Sequence, residues 1–201
     1  MDKTDLKYLK KYIKNKNIYM FWGFDKNDQY SSLKELNAII KNIAKELANN
    51  SIIFYFGEFP DIEKPDIGYV ISQIKNIKND IEIIMFDSEF QYNEIPDFVS
   101  NSYKIEVKTE KKRGINIKNN KPLGLTKLWI DLNKIQNIEK IFILGGNHIT
   151  LEENNIAREF EINTKYYPLK RKFLGDSNTP IKKNAVLEEK IGVTHILNVN
   201  N

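Results

Sequence analysis

Cysteine is absent from the sequence and histidine occurs only twice, at His148 and His195. No disulfide framework and no thiolate-held metal is open to such a chain, and a zinc centre would have to lean on carboxylates. No resident metal or cofactor is expected. Long apolar runs are missing too. The first residues, Met1-Asp2-Lys3-Thr4-Asp5, carry charge from the outset, and no uncharged stretch is long enough to span a bilayer. The expectation is a cytoplasmic protein with no membrane partner. Charge of a single sign is also scarce, since 31 basic residues face 27 acidic ones for a net charge of +4. Read as a mild excess spread over lysine-rich helix faces, that balance leaves no footprint for nucleic acid.

What is present is an ordinary globular composition, 41% hydrophobic and 29% charged over 201 residues, which predicts one core and a single domain spanning 1–201. Four short apolar runs read as buried strands: 17–23, 51–57, 81–86 and 140–144. Between them the apolar spacing turns helical. In 32–49, Leu33, Leu36, Ile39, Ile40, Ile43 and Leu47 recur at threes and fours behind a Ser32-x-x-Glu35 capping box. Further helices are predicted over 66–78, entered through Pro65-Asp66, over 126–135, and over 150–160. A further strand is expected at 165–167. Strand alternating with helix at this spacing implies right-handed crossovers and a mainly parallel sheet. The predicted fold is therefore α/β, a Rossmann-like three-layer α/β/α domain. The basic segment 108–125 breaks the rhythm, and its Ile115–Ile117 alternation before Asn119-Asn120 reads as an inserted hairpin or flap.

In an open parallel sheet, ligands bind beyond the carboxyl ends of the strands. Those positions are polar here: Gly23-Phe24-Asp25-Lys26, Gly57-Glu58, Asp87 with Glu89, and Gly145-Gly146-Asn147-His148-Ile149-Thr150. The last set has two readings. Glycines after a buried strand allow close backbone approach, and the helix start beyond them favours phosphate, for which His148 is a candidate donor. Equally, Thr150-Leu151-Glu152-Glu153 is a capping box that requires no ligand. The carboxylates likewise either receive ribose hydroxyls and flank a cleaved N-glycosidic bond, or are solvated. Aromatic residues near the strand ends, among them Trp22 and Phe24, are candidates for stacking on a base or for core packing.

The stretch Gly145-Gly146-Asn147-His148-Ile149-Thr150-Leu151-Glu152-Glu153 resembles the Pro-Gly-Gly-x-Gly-Thr-x-x-Glu signature of the SLOG superfamily, which includes the Lonely Guy phosphoribohydrolases and sensors of nucleotide-derived signals. Leu144 stands at the signature's proline, and Asn147-His148-Ile149 adds one residue before the threonine. The resemblance implies a Rossmann-like fold with Gly145, Gly146 and Thr150 holding a phosphate, Glu153 as an acid near the sugar, and Arg113 as a loose counterpart of an upstream arginine. It also implies a homodimer or higher homo-oligomer. Because the departures fall on the loop itself, binding is expected in preference to turnover. The expected ligand is a nucleotide or a nucleotide-derived signal, of ADP-ribose type or cyclic. The alternative is an N-glycosidase using Glu153, Asp87 or Glu89. A Gly146→Val exchange is expected to abolish binding with the fold largely intact.

Overall fold

β-Branched and aromatic residues pack well on a pleated surface, and runs of them form most of the strands of this chain. The computed structural model describes residues 3–23, 33–56, 66–87, 95–104, 115–116, 121–122, 124–146 and 148–167. In chain order the elements are α1 (Lys3–Ile13), β1 (Ile18–Gly23), α2 (Leu33–Glu46), β2 (Ile52–Phe56), α3 (Ile67–Ile77), β3 (Glu82–Asp87), β4 (Asn101–Lys104), β5 (Ile115–Asn116), β6 (Lys121–Pro122), α4 (Gly124–Ile135), β7 (Ile138–Leu144), α5 (His148–Glu159) and β8 (Thr164–Tyr167). Six strands form one sheet in the order β4-β3-β2-β1-β7-β8, and every pair in it is parallel. Strands β5 and β6 make a separate antiparallel pair, Ile115 opposite Pro122, where a hairpin was expected.

Side chains alternate across the sheet and divide the core in two. Ile18, Met20 and Trp22 of β1 join Leu9 and Ile13 of α1, Trp129 and Leu132 of α4, and Ile156 and Ala157 of α5. Tyr19 and Phe21 face the other way, toward Leu36, Ile40 and Ile43 of α2 and Val70, Ile71 and Ile74 of α3. Helices on both faces of a parallel sheet make this a Rossmann-like α/β/α domain. From β1 the chain first moves one way through α2 and α3, and later arrives on β1's other flank as β7, through α4. Opposite directions on opposite faces are what a constant crossover hand requires. The order therefore reverses between β1 and β7, and the crevice of such a sheet opens at that point.

Two elements, α1 and β4, have no counterpart in the sequence reading. Among the described side chains of α1, Leu9 and Ile13 are the buried ones, set amid exposed lysines, too thin a stripe to stand out by periodicity. Strand β4 is a polar strand, Asn-Ser-Tyr-Lys, and among the described residues it has a sheet neighbour on one side. Helix α3 starts as expected, with the Asp66 carboxylate accepting the Tyr69 N–H at 2.9 Å. The expected cap Ser32 lies outside the described residues. Among the described residues, no helix is long and apolar enough to cross a membrane.

One ionic cluster ties the end of α2 to the β7–β8 flank. The Glu46 carboxylate accepts from Lys140 Nζ at 2.9 Å and from Lys165 Nζ, and the Tyr167 hydroxyl lies 3.4 Å from it. Burial alone would raise the Glu46 carboxyl, but the hydrogen bonds and charges of Lys165 and Lys140 outweigh it and hold the group below its usual range. Burial, followed by the Glu46 charge, pushes the Tyr167 phenol up. A carboxylate depressed in the folded state contributes stability above its unfolded value and loses it as the pH falls through the folded one. Glu46→Gln is expected to cost about 1–2 kcal/mol at pH 7. The difference from the parent should fade as the pH drops below the ordinary carboxyl value of 4.5, as followed by urea melts across pH. A pH-independent difference would mean that packing, not charge, holds this corner.

Candidate functional site

The crevice is framed by two strand ends in register, Gly23 of β1 opposite Leu144 of β7. Gly23 has φ 109°, and a Cβ on it would lie 2.7 Å from both the backbone nitrogen and the carbonyl carbon of Leu144. Only glycine lets the two strands stay paired to their last residue. This position has a structural reason to be glycine before any ligand is considered.

The chain then passes through Gly145 (φ 60°) and Gly146 (φ 103°), both in the left-handed region that side-chain-bearing residues avoid. Gly145 donates its N–H to the Tyr167 carbonyl at 2.9 Å, extending the β7–β8 ladder. That amide is used by the sheet, so Gly145 serves as a hinge point in the backbone and not as a phosphate donor. A Cβ on Gly146 would lie 2.7 Å from Thr150 Cβ and nearer still to its hydroxyl. Gly146 thus makes room for Thr150. This corrects the expectation that Gly146→Val would leave the fold largely intact.

Helix α5 opens at His148, ahead of the boundary read from sequence, so Thr150 sits inside the first turn and is 7% exposed. The capping-box reading, with Thr150 as cap and Glu153 three residues on, does not hold. Glu153 lies in the second turn, and no acid occupies the first. The opening amides of a helix have no acceptor within it and carry the positive end of its dipole. With no carboxylate of its own to offset that charge, this end of α5 favours an anion.

The buried stripe of α5 is polar for most of its length. Thr150, Glu153 and Asn154 precede Ala157, and Glu153 and Asn154 are at most 1% exposed. Among the described residues, both amide atoms of Asn154 and the indole nitrogens of Trp22 and Trp129 are buried with no hydrogen-bond partner. The two indoles pack at 5.3 Å between centroids, on the same face of the sheet as α5. Trp22 is therefore a core residue, not an exposed platform for a base. Periodicity reasoning missed Asn154 because a polar residue on a helix is read as its solvent side. Its spacing of three and four residues from Leu151 and Thr150 was the available signal.

Asp87 closes β3, three strands from β7. At about 4.8 Å per strand that is roughly 14 Å, so Asp87 and the glycine loop share an edge but cannot touch one phosphate. His148 is the first residue of α5, described in its backbone only. Phe24, Asp25, Lys26, Gly57 and Glu58 lie outside the described residues, as do Glu89, Arg113 and Asn147. Among the described residues, no group of three or more His, Asp or Glu side chains is placed to hold a metal ion.

The two glycines respond differently to an added methyl group. Gly146→Ala is expected to cost more than about 2 kcal/mol, from left-handed strain together with the collision on Thr150. In a Thr150→Gly background, which removes the colliding side chain, the cost should fall to the strain alone. Gly23→Ala has no side chain to trim, because the obstacle is the Leu144 backbone. Strictly additive costs for Gly146→Ala and Thr150→Gly in a denaturation cycle would refute the contact. Compared with models of known protein families and with curated protein sequences, the chain shows no match to either.

Proposed function

We propose that this protein binds a nucleotide or a nucleotide-derived signalling molecule at the Gly145–Thr150 loop, and acts as a sensor or a sequestering protein. The observation that carries the reading is the position of that loop. It lies at the point where strand order reverses, and it leads into a helix whose first turn holds no acid. A phosphate is the group such a helix end favours most. Its contacts are the amides at the start of α5, with Gly146 and Thr150 shaping the approach.

A ligand reaching from α5 toward β3 has the dimensions to place a sugar or base near Asp87, passing the ends of β1 and β2. The resemblance to the SLOG signature adds to this reading at the same residues, Gly145 to Glu153, and brings with it the proposal of a homodimer or higher oligomer. Binding without turnover is preferred because Glu153, the residue proposed as the acid, is 1% exposed and turned into the core. A group so enclosed is poorly placed to exchange a proton with a substrate.

The test is a melting-temperature screen of the full chain against mononucleotides, cyclic nucleotides, ADP-ribose and inorganic phosphate. A ligand at a hundredfold excess over its Kd stabilises by about 2.7 kcal/mol, a rise of roughly 5–10 °C for a domain of this size. The same mixtures, denatured and chromatographed, should return the ligand intact. Released base would instead establish an N-glycosidase, and no shift with any compound would end the nucleotide reading.

A further inference from the structure

The second half of α1 and the turn after it, residues 7–16, hold five lysines and no acidic residue. The remaining chain holds 26 basic residues against 27 acidic ones. The whole positive balance of the protein therefore belongs to one ten-residue segment, and the excess is not spread over the helix faces as the overall composition suggests. Lys7, Lys10, Lys11 and Lys14 are all exposed, while Lys16 is engaged with Glu82 at 2.5 Å. Among the described residues, none of the four exposed lysines has a carboxylate within ion-pair distance. They stand three and four residues apart, the spacing at which like charges on a helix repel. The negative end of the helix dipole offsets part of that cost at Lys10 and Lys11, in the last turn of α1, but Lys7 lies farther from it. By contrast, Lys127 and Lys134 of α4 both reach Asp131.

Beside these lysines lies an aromatic pair. Tyr8 is 61% exposed, and its ring stacks on Tyr12 at 6.3 Å with 14° between planes. The Lys16 ammonium sits 4.3 Å from the Tyr12 ring centroid, so the inner ring of the pair is held from below. Lys11 is one helical turn from Tyr8 on the same surface. Flat exposed aromatics next to exposed cations are the two components of single-strand nucleic-acid recognition, the ring stacking on a base and the cations following the phosphates. A lipid surface fits less well. An interfacial helix offers its apolar side to the bilayer, and the apolar side of α1, Leu9 and Ile13, is fully buried in the core.

We propose that the exposed face of α1 and the turn after it, Lys7, Tyr8, Lys10, Lys11 and Lys14, is a docking surface for single-stranded nucleic acid, bound without sequence preference. The surface is independent of the Gly145–Thr150 loop, and either reading stands without the other.

The test is fluorescence anisotropy of a labelled mixed-sequence single strand titrated with the full chain at several salt concentrations. Unlabelled duplex and phosphatidylserine vesicles serve as competitors. Four neutralised phosphates give a slope of log Kobs against log salt of about −3. Replacing Lys7, Lys11 and Lys14 together by Gln should flatten that slope by about 2. Tyr8→Ala should weaken binding on the order of tenfold with the slope unchanged. Melting temperatures check each variant, and the exposed Tyr8→Ala substitution keeps the test decisive if the triple variant is poorly folded. Absence of binding at low salt, or indifference to Tyr8→Ala, would overturn the proposal. Stronger competition by the vesicles than by unlabelled single strand would also overturn it and assign the face to lipid.

Discussion

The end of β7 and the turn from it into α5 depend on the close approach of β1 and β7 at Gly23. The two strands remain paired through Gly23 and Leu144 because no side chain stands between them. That pairing fixes where β7 ends, and so fixes the height at which Gly145 and Gly146 turn the chain into α5. The long crossover from β4, through the β5–β6 hairpin and α4, arrives where the first strand left a vacant flank. A side chain at position 23 would separate the strands at the one place where the fold forms a crevice. Architecture and candidate site are thus consequences of the same backbone contact.

The interior beneath this edge departs from the rest of the core. Most of the core is Ile, Leu, Val and aromatic side chains, but α5 buries Thr150, Glu153 and Asn154 beside Ile156 and Ala157. A buried polar group without a partner costs about 1–3 kcal/mol, and among the described residues the Asn154 amide and two indole nitrogens have none. A sequence selected only for stability would place aliphatic residues there. Local violations of packing rules concentrate at functional sites, and this one lies directly behind the loop that other features single out.

The strands β1, β2, β3 and β7 and the helices α2 to α4 were legible in the residues, because each has a continuous apolar run or a strong helical stripe. The α5 helix was legible too, but not its start. Thr150 followed by Glu153 has the form of a cap, and only the packing of Thr150 against Gly146 reveals that the helix begins earlier. Glycine-rich loops are ambiguous for a related reason, since sequence shows that a side chain is missing but not what occupies its space. At Gly23 it is a neighbouring strand, at Gly146 a threonine, and at Gly145 the amide is already bonded to β8. The charge on α1 was hidden by averaging, because a net balance over a whole chain conceals where the excess sits.

Tyr167 joins two regions that would otherwise be separate. Its carbonyl accepts the Gly145 N–H, and its hydroxyl lies beside the Glu46 carboxylate among the lysines of β7 and β8. Displacing the loop at its first glycine means pulling on that ionic cluster as well. The start of the loop is thereby anchored to the far flank of the sheet, and for the ligand proposed above that anchored side would be a fixed boundary against which size is judged.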